Sequence, residues 1–391
     1  MGDVFDVIVI GGGVAGVAAA LAARADGASV CIVRASPGAT AVTSGGWRGA
    51  LPPLIADALS TAGLPYVPVS HSLPHPFGDL RAFDFASAAH AGALAQPGGV
   101  LCGISGLSGF SAPALARLYA DAAHPPAHMT VTVGDSPRDG WAPHALAAAV
   151  TRNPATLADR MREQLPAGAS HVVLPAVLGL DNVNAVRAAI EDIVGVPVFE
   201  ALGAPPSIPG WRLDRALMRA ARTAGVTILN GHAMIAGARN GALTALSIRT
   251  AQDMRAASAG RYILATGKFI GGGIVTEQKR LVESALNLPV WIEHLGQTFT
   301  TAESLTLTSR VRTYDQPLMK AGVHVDGRGQ PLDARSRVVF GNVTAAGGVI
   351  AGIDTVTLGL GAAAMQGIAA AAAAATQGGG AHEPATPAAG A

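Results

Sequence analysis

The stretch Val7-Ile8-Val9-Ile10-Gly11-Gly12-Gly13-Val14-Ala15-Gly16 decides how this chain folds. Four β-branched residues in a row read as a buried parallel strand. They run straight into Gly-x-Gly-x-x-Gly, and a helix is expected from Val14 to about Ala25. In that arrangement Gly11 permits a tight turn, Gly13 lets backbone approach a pyrophosphate, and Gly16 lets helix lie close to strand. The helix start then offers N–H groups and a positive dipole end to the phosphates. Gly11, Gly13, Val14, Ala15 and Gly16 are therefore the candidate pyrophosphate contacts. A glycine triplet alone is a weak signal. Here the strand before it, the alanine-rich helix ended by Gly27, and a second strand from Ser29 to Val33 complete a βαβ start.

One position departs from the usual pattern. An acid that binds the ribose is expected at the end of the second strand. Arg34 stands there instead. The ribose contact then falls to Arg34 itself, to Ser36 or to a backbone group. An arginine also suits a 2′-phosphate, which keeps NADP as an alternative ligand.

Outward from this unit, residues 37–72 are rich in Gly, Pro, Ser and Thr. Thr43-Ser44-Gly45-Gly46 is a flexible polar turn able to approach a cofactor closely. His71 and His75 beside Pro74 and Pro76 mark a candidate active-site edge. Residues 80–224 interrupt the nucleotide-binding pattern. Strands are expected over 99–104, 129–133 and 171–174, and helices over 112–123, 181–194 and 211–223. Pro205-Pro206-Ser207-Ile208-Pro209-Gly210 reads as a rigid turn.

The chain then returns to the first pattern, with strands over 226–229 and 242–249 around a Gly241 turn. A strand from Arg261 runs into Ala265-Thr266-Gly267, followed by Lys268 and the glycines 271–273. A last strand is expected over 338–343, then Ala345-Ala346-Gly347-Gly348 and Gly352. A second small-residue helix is expected to begin near Gly359-x-Gly361 and run to about Thr376. Strand, glycine turn and helix start again make an anion-friendly site.

The whole therefore reads as α/β: a Rossmann-like FAD/NAD(P)-binding domain in two pieces, residues 1–80 and 225–376. Residues 81–224 form an inserted α/β substrate or cap domain, and residues 377–391 a disordered Gly/Ala/Pro-rich tail. The 27 basic and 26 acidic residues give a net charge of +1 with no long run of one sign, so no nucleic-acid footprint is present. Two cysteines, Cys31 and Cys102, make no metal motif, and neither a metal site nor an iron–sulfur cluster is expected. The opening residues do not read as a signal peptide, and the run Ala369 to Ala375 is too short and weakly apolar for a membrane span. A cytoplasmic protein is the expectation.

Three glycine segments in this order, Gly11–Gly16, Ala265–Gly267 and Ala345–Gly347 with Gly352, resemble FAD-dependent oxidoreductases of the fumarate-reductase and glutathione-reductase type. Within that group the chain is similar to the B-subunit family of anaerobic glycerol-3-phosphate dehydrogenases. The likeness is carried by His75-Pro76-Phe77, by Gly103-Ile104-Ser105-Gly106-Leu107 with Phe110, and by Leu174-Pro175-Ala176 with Gly179-Leu180. Pro205-Pro206-Ser207, Gly210-x-Arg212-Leu213 and Gly267-x-Phe269 with Gly272-Gly273 extend it. That family also lacks an acid at the Arg34 position.

The resemblance implies a flavoprotein that works beside a catalytic FAD subunit and a membrane-bound iron–sulfur subunit. Such a complex oxidises sn-glycerol 3-phosphate to dihydroxyacetone phosphate and passes electrons towards quinone, which would place the chain peripherally at the inner membrane through its partner. Family descriptions give FMN to this flavoprotein. The glycine geometry forms a pyrophosphate site that FMN leaves unused, so FAD is favoured, with Arg34, Thr43, Ser44, Gly45, Gly46, Thr266, Gly267, Gly347, Gly348 and Gly352 as further contacts.

Hydride transfer from a small-molecule hydroxy substrate needs a base, and a phosphorylated substrate needs one or two cations. His75, Arg212, Lys268 and His324 are the candidates. They are few, which leaves a second reading open: a non-catalytic electron-transfer or scaffold protein of the complex that binds flavin without touching substrate. A flavin dehydrogenase for another hydroxy compound is the third.

Overall fold

The computed structural model describes residues 2–92, 94–134, 140–278, 280–292, 297–298 and 317–377. The chain forms two compact units. The first takes the described residues of Met1–Ser36, Ala224–Thr355 and Met365–Ala391, and the second those of Pro37–Thr223 and Val356–Ala364. The second unit thus contains residues 37–80, which the sequence pattern assigns to the nucleotide-binding part.

In the first unit the strands are β1 (Asp3–Ile10), β2 (Val30–Arg34), β3 (Thr227–Asn230), β4 (His232–Arg239), β5 (Ala242–Arg249), β6 (Met254–Leu264) and β7 (Val343–Ala345). They form one sheet in the order β3-β2-β1-β6-β5-β4, with β7 also paired to β6. β1 lies parallel to both β2 and β6, and β4, β5 and β6 pair antiparallel. Val7 to Ile10 are almost fully buried, at 0–2% exposure. Burying an aliphatic side chain contributes about 1.5–3 kcal/mol, so these four anchor the sheet. Asp6 ties β1 to the start of β2, because its carboxylate accepts from both the backbone N–H and the hydroxyl of Ser29.

Helix α1 (Val14–Ala25) follows the glycine turn, and its small residues let it lie against the sheet. At Gly16 a Cβ would stand 2.0 Å from the Gly11 carbonyl oxygen. The C-terminal helix Thr355–Gln377 lies equally close, since a Cβ on Gly367 would stand 2.1 Å from the Ala15 oxygen. By length and composition its residues 359–376 are apolar enough to cross a membrane, with mean hydropathy 1.3. Cys31 and Cys102 are both fully buried, and burial pushes each thiol up to about 12.

The second unit carries a four-stranded parallel sheet in the order Val198–Glu200, His171–Leu174, Gly99–Ile104 and Ala127–Val131. Its chemistry centres on one ion pair. Arg212, on helix Ile208–Thr223, and Glu200 are 2% and 1% exposed. Two guanidinium nitrogens of Arg212 donate to the two Glu200 oxygens, at 2.5 and 2.9 Å, and its Nε donates to the Gly179 carbonyl at 2.8 Å. Burial opposes charge on Glu200, but the Arg212 guanidinium outweighs it and holds the carboxyl below its ordinary value.

Several elements differ from the sequence expectations. The last strand begins at Val343, not Val338; residues 332 and 338 meet only in an isolated bridge. β4 lies unexpected between the strands at 227 and 242, because His232 to Arg239 lacks the apolar alternation of a half-buried strand. The helix expected over 112–123 is α-helical only over Ala112–Ala116, then continues as a 3-10 turn at Arg117–Tyr119. Helices Pro143–Arg152 and Pro154–Gln164, not among the expected elements, start at prolines in the first turn, where no N–H is needed. The last helix starts at Thr355 and breaks at Gly359, whose φ is +72°. The Pro205–Pro206 bond is cis. The tail 378–391 lies outside the described residues.

Removing one partner of a buried ion pair leaves a charge without compensation, at a cost of about 3–5 kcal/mol. Arg212→Ala should therefore lower unfolding stability by that amount in a denaturant titration at neutral pH. Because the Glu200 carboxyl is depressed in the folded chain, its stabilisation is present above its ordinary value and lost as pH falls through the folded one. The gap between wild type and variant should narrow below about pH 4.5.

Candidate functional site

The turn between β1 and α1 is built by close approach. Gly11 has φ +115°, and its N–H donates to the Val33 carbonyl at 2.8 Å. A Cβ there would stand 2.2 Å from the Ala265 oxygen, where no side chain fits. Gly13 caps α1 in an extended conformation, with no side-chain hydrogen bond to the helix end and no acid in its first turn. The positive end of the helix dipole is thus left for an external anion. Arg34 closes β2, is 8% exposed, and lays its stem beside Gly12, where a Cβ would stand 3.1 Å from the Arg34 Cδ.

The two later glycine segments close on the same turn. The Ala265 N–H donates to the Ile10 carbonyl and the Ala346 N–H to the Leu264 carbonyl, both at 2.8 Å. Gly347, at φ +74°, would place a Cβ 2.6 Å from that of Ala15. Its N–H donates to the Gln366 side-chain oxygen at 3.0 Å. Gly348 follows it in a short 3-10 turn, and the Gly352 N–H donates to the Lys320 carbonyl at 2.8 Å. Gln366 is absent from the sequence-derived candidates; its only signal is a single amide in a run of alanines.

Thr266 and Lys268 are held from behind. The Thr266 hydroxyl donates to Glu283 at 3.0 Å, and the Ala285 and Leu286 N–H groups donate to the same carboxylate. Burial pushes the Glu283 carboxyl up, against the pull of those donors. Gly267 lies at φ +73° with open space around it. The Lys268 ammonium donates to the Ala321 carbonyl. Burial pushes it down to about 8, opposed by the Asp354 carboxylate. The imidazole of His324 stacks flat on Trp291, with centroids 4.3 Å apart.

In the second unit, the Thr43–Gly46 turn is held through its backbone. The Ser207 hydroxyl donates to the Thr43 carbonyl, and the Gly203 N–H to the Ser44 carbonyl at 2.8 Å. Gly45, at φ +100°, would place a Cβ 2.6 Å from the Pro209 Cβ and 2.9 Å from the His90 Nε2. At Gly46 a Cβ would run into the Phe83 ring at 2.3 Å. His75 is 2% exposed, and its Nδ1 meets Asp79 at 3.0 Å, while Arg81 holds the other Asp79 oxygen at 2.8 Å. Burial draws the His75 imidazole below its ordinary range, with Arg81 assisting. Its Nδ1 is committed to this hairpin. Arg212 is likewise committed to Glu200 and Gly179, which removes it as a phosphate ligand. Of the four residues proposed for chemistry, His75 and Arg212 lie in the second unit and Lys268 and His324 in the first.

The first unit's cradle suits a dinucleotide: three glycine segments leave backbone where a Cβ would fill the space, and an uncapped helix start faces it. Gly11→Ala should abolish retained flavin colour after desalting, whereas Gly27→Ala, with nothing within 4 Å, should keep it. The control substitution carries only the left-handed cost of about 1–2 kcal/mol.

A family model described as an FAD binding domain matches residues 6–61 and 135–364. The chain is 31% identical over 189 residues to a probable B subunit of anaerobic glycerol-3-phosphate dehydrogenase from Halobacterium salinarum, covering 48% of this chain and 42% of that protein. It is 32% identical over 215 residues to the B subunit of anaerobic glycerol-3-phosphate dehydrogenase from Actinobacillus succinogenes, covering 54% and 47%. The chain thus spans about half the length of the curated relatives it matches. The 3-ketosteroid-Δ4-(5α)-dehydrogenase of Rhodococcus jostii RHA1 aligns with 95% of this chain and 97% of its own, at 13% identity and a TM-score of 0.38. With well over half of its residues inside the family match, the chain belongs to the FAD binding domain family, as a flavin oxidoreductase with FAD as its cofactor.

Proposed function

We propose that this chain is the flavin-bearing, electron-carrying member of a multisubunit dehydrogenase that oxidises sn-glycerol 3-phosphate to dihydroxyacetone phosphate. The similarity to the B subunits of that enzyme, seen together with the glycine cradle, carries this reading. Its partners are a catalytic FAD subunit and a membrane-bound iron–sulfur subunit, with electrons passed towards quinone. The chain then sits on the cytoplasmic side, peripheral to the inner membrane through its partner. Residues 81–224 act as the substrate or cap module.

FAD, when bound, supplies an acceptor for a hydride or electron pair and a donor of electrons onward. The chain's own residues do the rest. Gly11, its N–H given to Val33, makes the turn; Gly13 and the α1 start would hold the pyrophosphate through backbone N–H groups, and Gly347, against Ala15, is tied to Gln366. The Thr43–Gly46 turn, pinned by Ser207 and Gly203, is the second unit's candidate flavin contact.

The burial of His75 and the commitment of Arg212 to Glu200 support electron carriage rather than acid–base work by this chain. A chain that itself dehydrogenates substrate, or one that acts on a different hydroxy compound, is the competing reading. Anaerobic addition of sn-glycerol 3-phosphate separates them. The isolated yellow chain should stay oxidised and bleach only when assembled with its partners. Bleaching of the chain alone would sink the carrier role, and a colourless protein in the full complex would sink every flavin reading.

A further inference from the structure

We propose that Lys268 carries the positive charge that faces the redox-active ring of bound FAD, and that its proton sets how readily that ring is reduced. The inference rests on the flavin reading above and extends it to the chain's control over the electrons it holds.

Topology places Lys268 at the ring end. A dinucleotide crosses the carboxyl edge of such a sheet where the strand order reverses, and its adenosine ribose lies at the end of the second strand. In this sheet β2 and β3 lie on one side of β1, while β6 and β7 lie on the other. Arg34, at the end of β2, marks the adenosine side. The other half of the ligand therefore passes over the ends of β6 and β7. Lys268 stands four residues beyond β6, just after the Thr266-Gly267 turn. The segment after β7 runs from Gly347, which rests on the first turn of α1, through Gly352 to Asp354. That segment returns to the same place: the Gly352 N–H is bonded to the Lys320 carbonyl, and the neighbouring Ala321 carbonyl accepts from the Lys268 ammonium. Lys268 thus sits where the two glycine segments converge, away from Arg34.

Its surroundings make its charge conditional. Burial disfavours the ammonium, Asp354 favours it, and one carbonyl partner holds it in place. Among the described residues, the charged or titratable groups around it are Asp354, which is 6% exposed, Lys320 beside its acceptor in sequence, and Glu283, which reaches the same turn through Thr266. Burial pushes the Glu283 carboxyl up, opposed by the Leu286 and Ala285 N–H groups and the Thr266 hydroxyl. A half-buried cation acts through a weaker dielectric than water, and its field on a neighbouring group is correspondingly larger. Two-electron reduction of a flavin at neutral pH adds negative charge to the ring, so a protonated Lys268 favours the reduced form. Below about pH 8 that support is present; as pH rises through about 8 the proton leaves and the support goes with it. By linkage, reduction in turn draws the proton more tightly onto Lys268.

The test is an anaerobic reductive titration of the purified flavoprotein against reference dyes. It is run from two pH units below to two above the Lys268 value for wild type, Lys268→Met and Lys268→Arg. Lys268→Met should hold about tenfold less reduced flavin than wild type at neutral pH and fixed potential, a downward shift of about 30 mV for a two-electron couple. The gap should close as pH passes about 8. Lys268→Arg should keep the neutral-pH potential yet lose the break near pH 8, because arginine does not titrate there. Equal potentials and equal pH slopes in wild type and Lys268→Met would overturn the proposal, as would an unchanged break in Lys268→Arg. That second comparison holds even where the methionine variant fails to retain flavin. A wild-type protein isolated without colour would instead overturn the flavin reading and this inference with it.

Discussion

Everything in the first unit depends on one close approach, the Gly11 backbone against the Ala265 carbonyl. A methyl group at Gly11 would lie 2.2 Å from that oxygen, so β1 and β6 can end side by side only if the first residue past β1 has no side chain. Once they do, Gly16 must also be bare, because α1 folds back over the Gly11 carbonyl. The Ala15 level of α1 then receives Gly347 from one segment and Gly367 from another, each at a distance only glycine tolerates. The glycine spacing of a dinucleotide fold and the demands of packing coincide here.

Buried charge is the second theme, and it divides into settled and unsettled cases. Arg212 and Glu200 satisfy one another by two parallel bonds, and neither has capacity left for chemistry. His75 gives its Nδ1 to Asp79, and burial holds the imidazole below its ordinary range. Lys268 differs: its ammonium donates to a neutral carbonyl, and an acid acts on it through space. A cation in that condition costs stability while charged, and such a cost is tolerated where the charge has work to do.

How much of this is legible in the sequence follows from range. The βαβ start is legible because its signals, the β-branched run, the glycine spacing and the alanine helix, all lie within about thirty residues and act on one another locally. β5 is legible for the same reason, through its turn at Gly241. The partners that hold the site are not. Glu283 reaches Thr266 across a turn, Gln366 reaches Gly347 from the last helix, and Glu200 meets Arg212 from a strand edge. A single polar residue in an apolar segment carries no address for its partner. The same limit explains Arg212, whose residue type suggests phosphate binding while burial commits it elsewhere. It also explains the strand expected from Val338, where an apolar run that reads as strand makes only one isolated bridge before β7 begins.

Arg34 shows how a departure from pattern can be consistent with the ligand rather than against it. An acid at the end of β2 accepts a hydrogen bond from ribose; an arginine cannot accept one. What it offers is a long apolar stem and a distant charge. The stem lies along Gly12, close enough that a Cβ there would crowd the Arg34 side chain at 3.1 Å, so the glycine turn is walled by arginine rather than left open. The charge is carried beside a helix start whose dipole already favours an anion. Exchanging acid for arginine thus trades a hydrogen-bond acceptor for a wall and a cation beside the glycine turn. The two glycine segments beyond β6 and β7 lie on the other side of β1. Those are the segments that carry Thr266, Gly267, Lys268 and Gly347, on the side of the sheet away from Arg34.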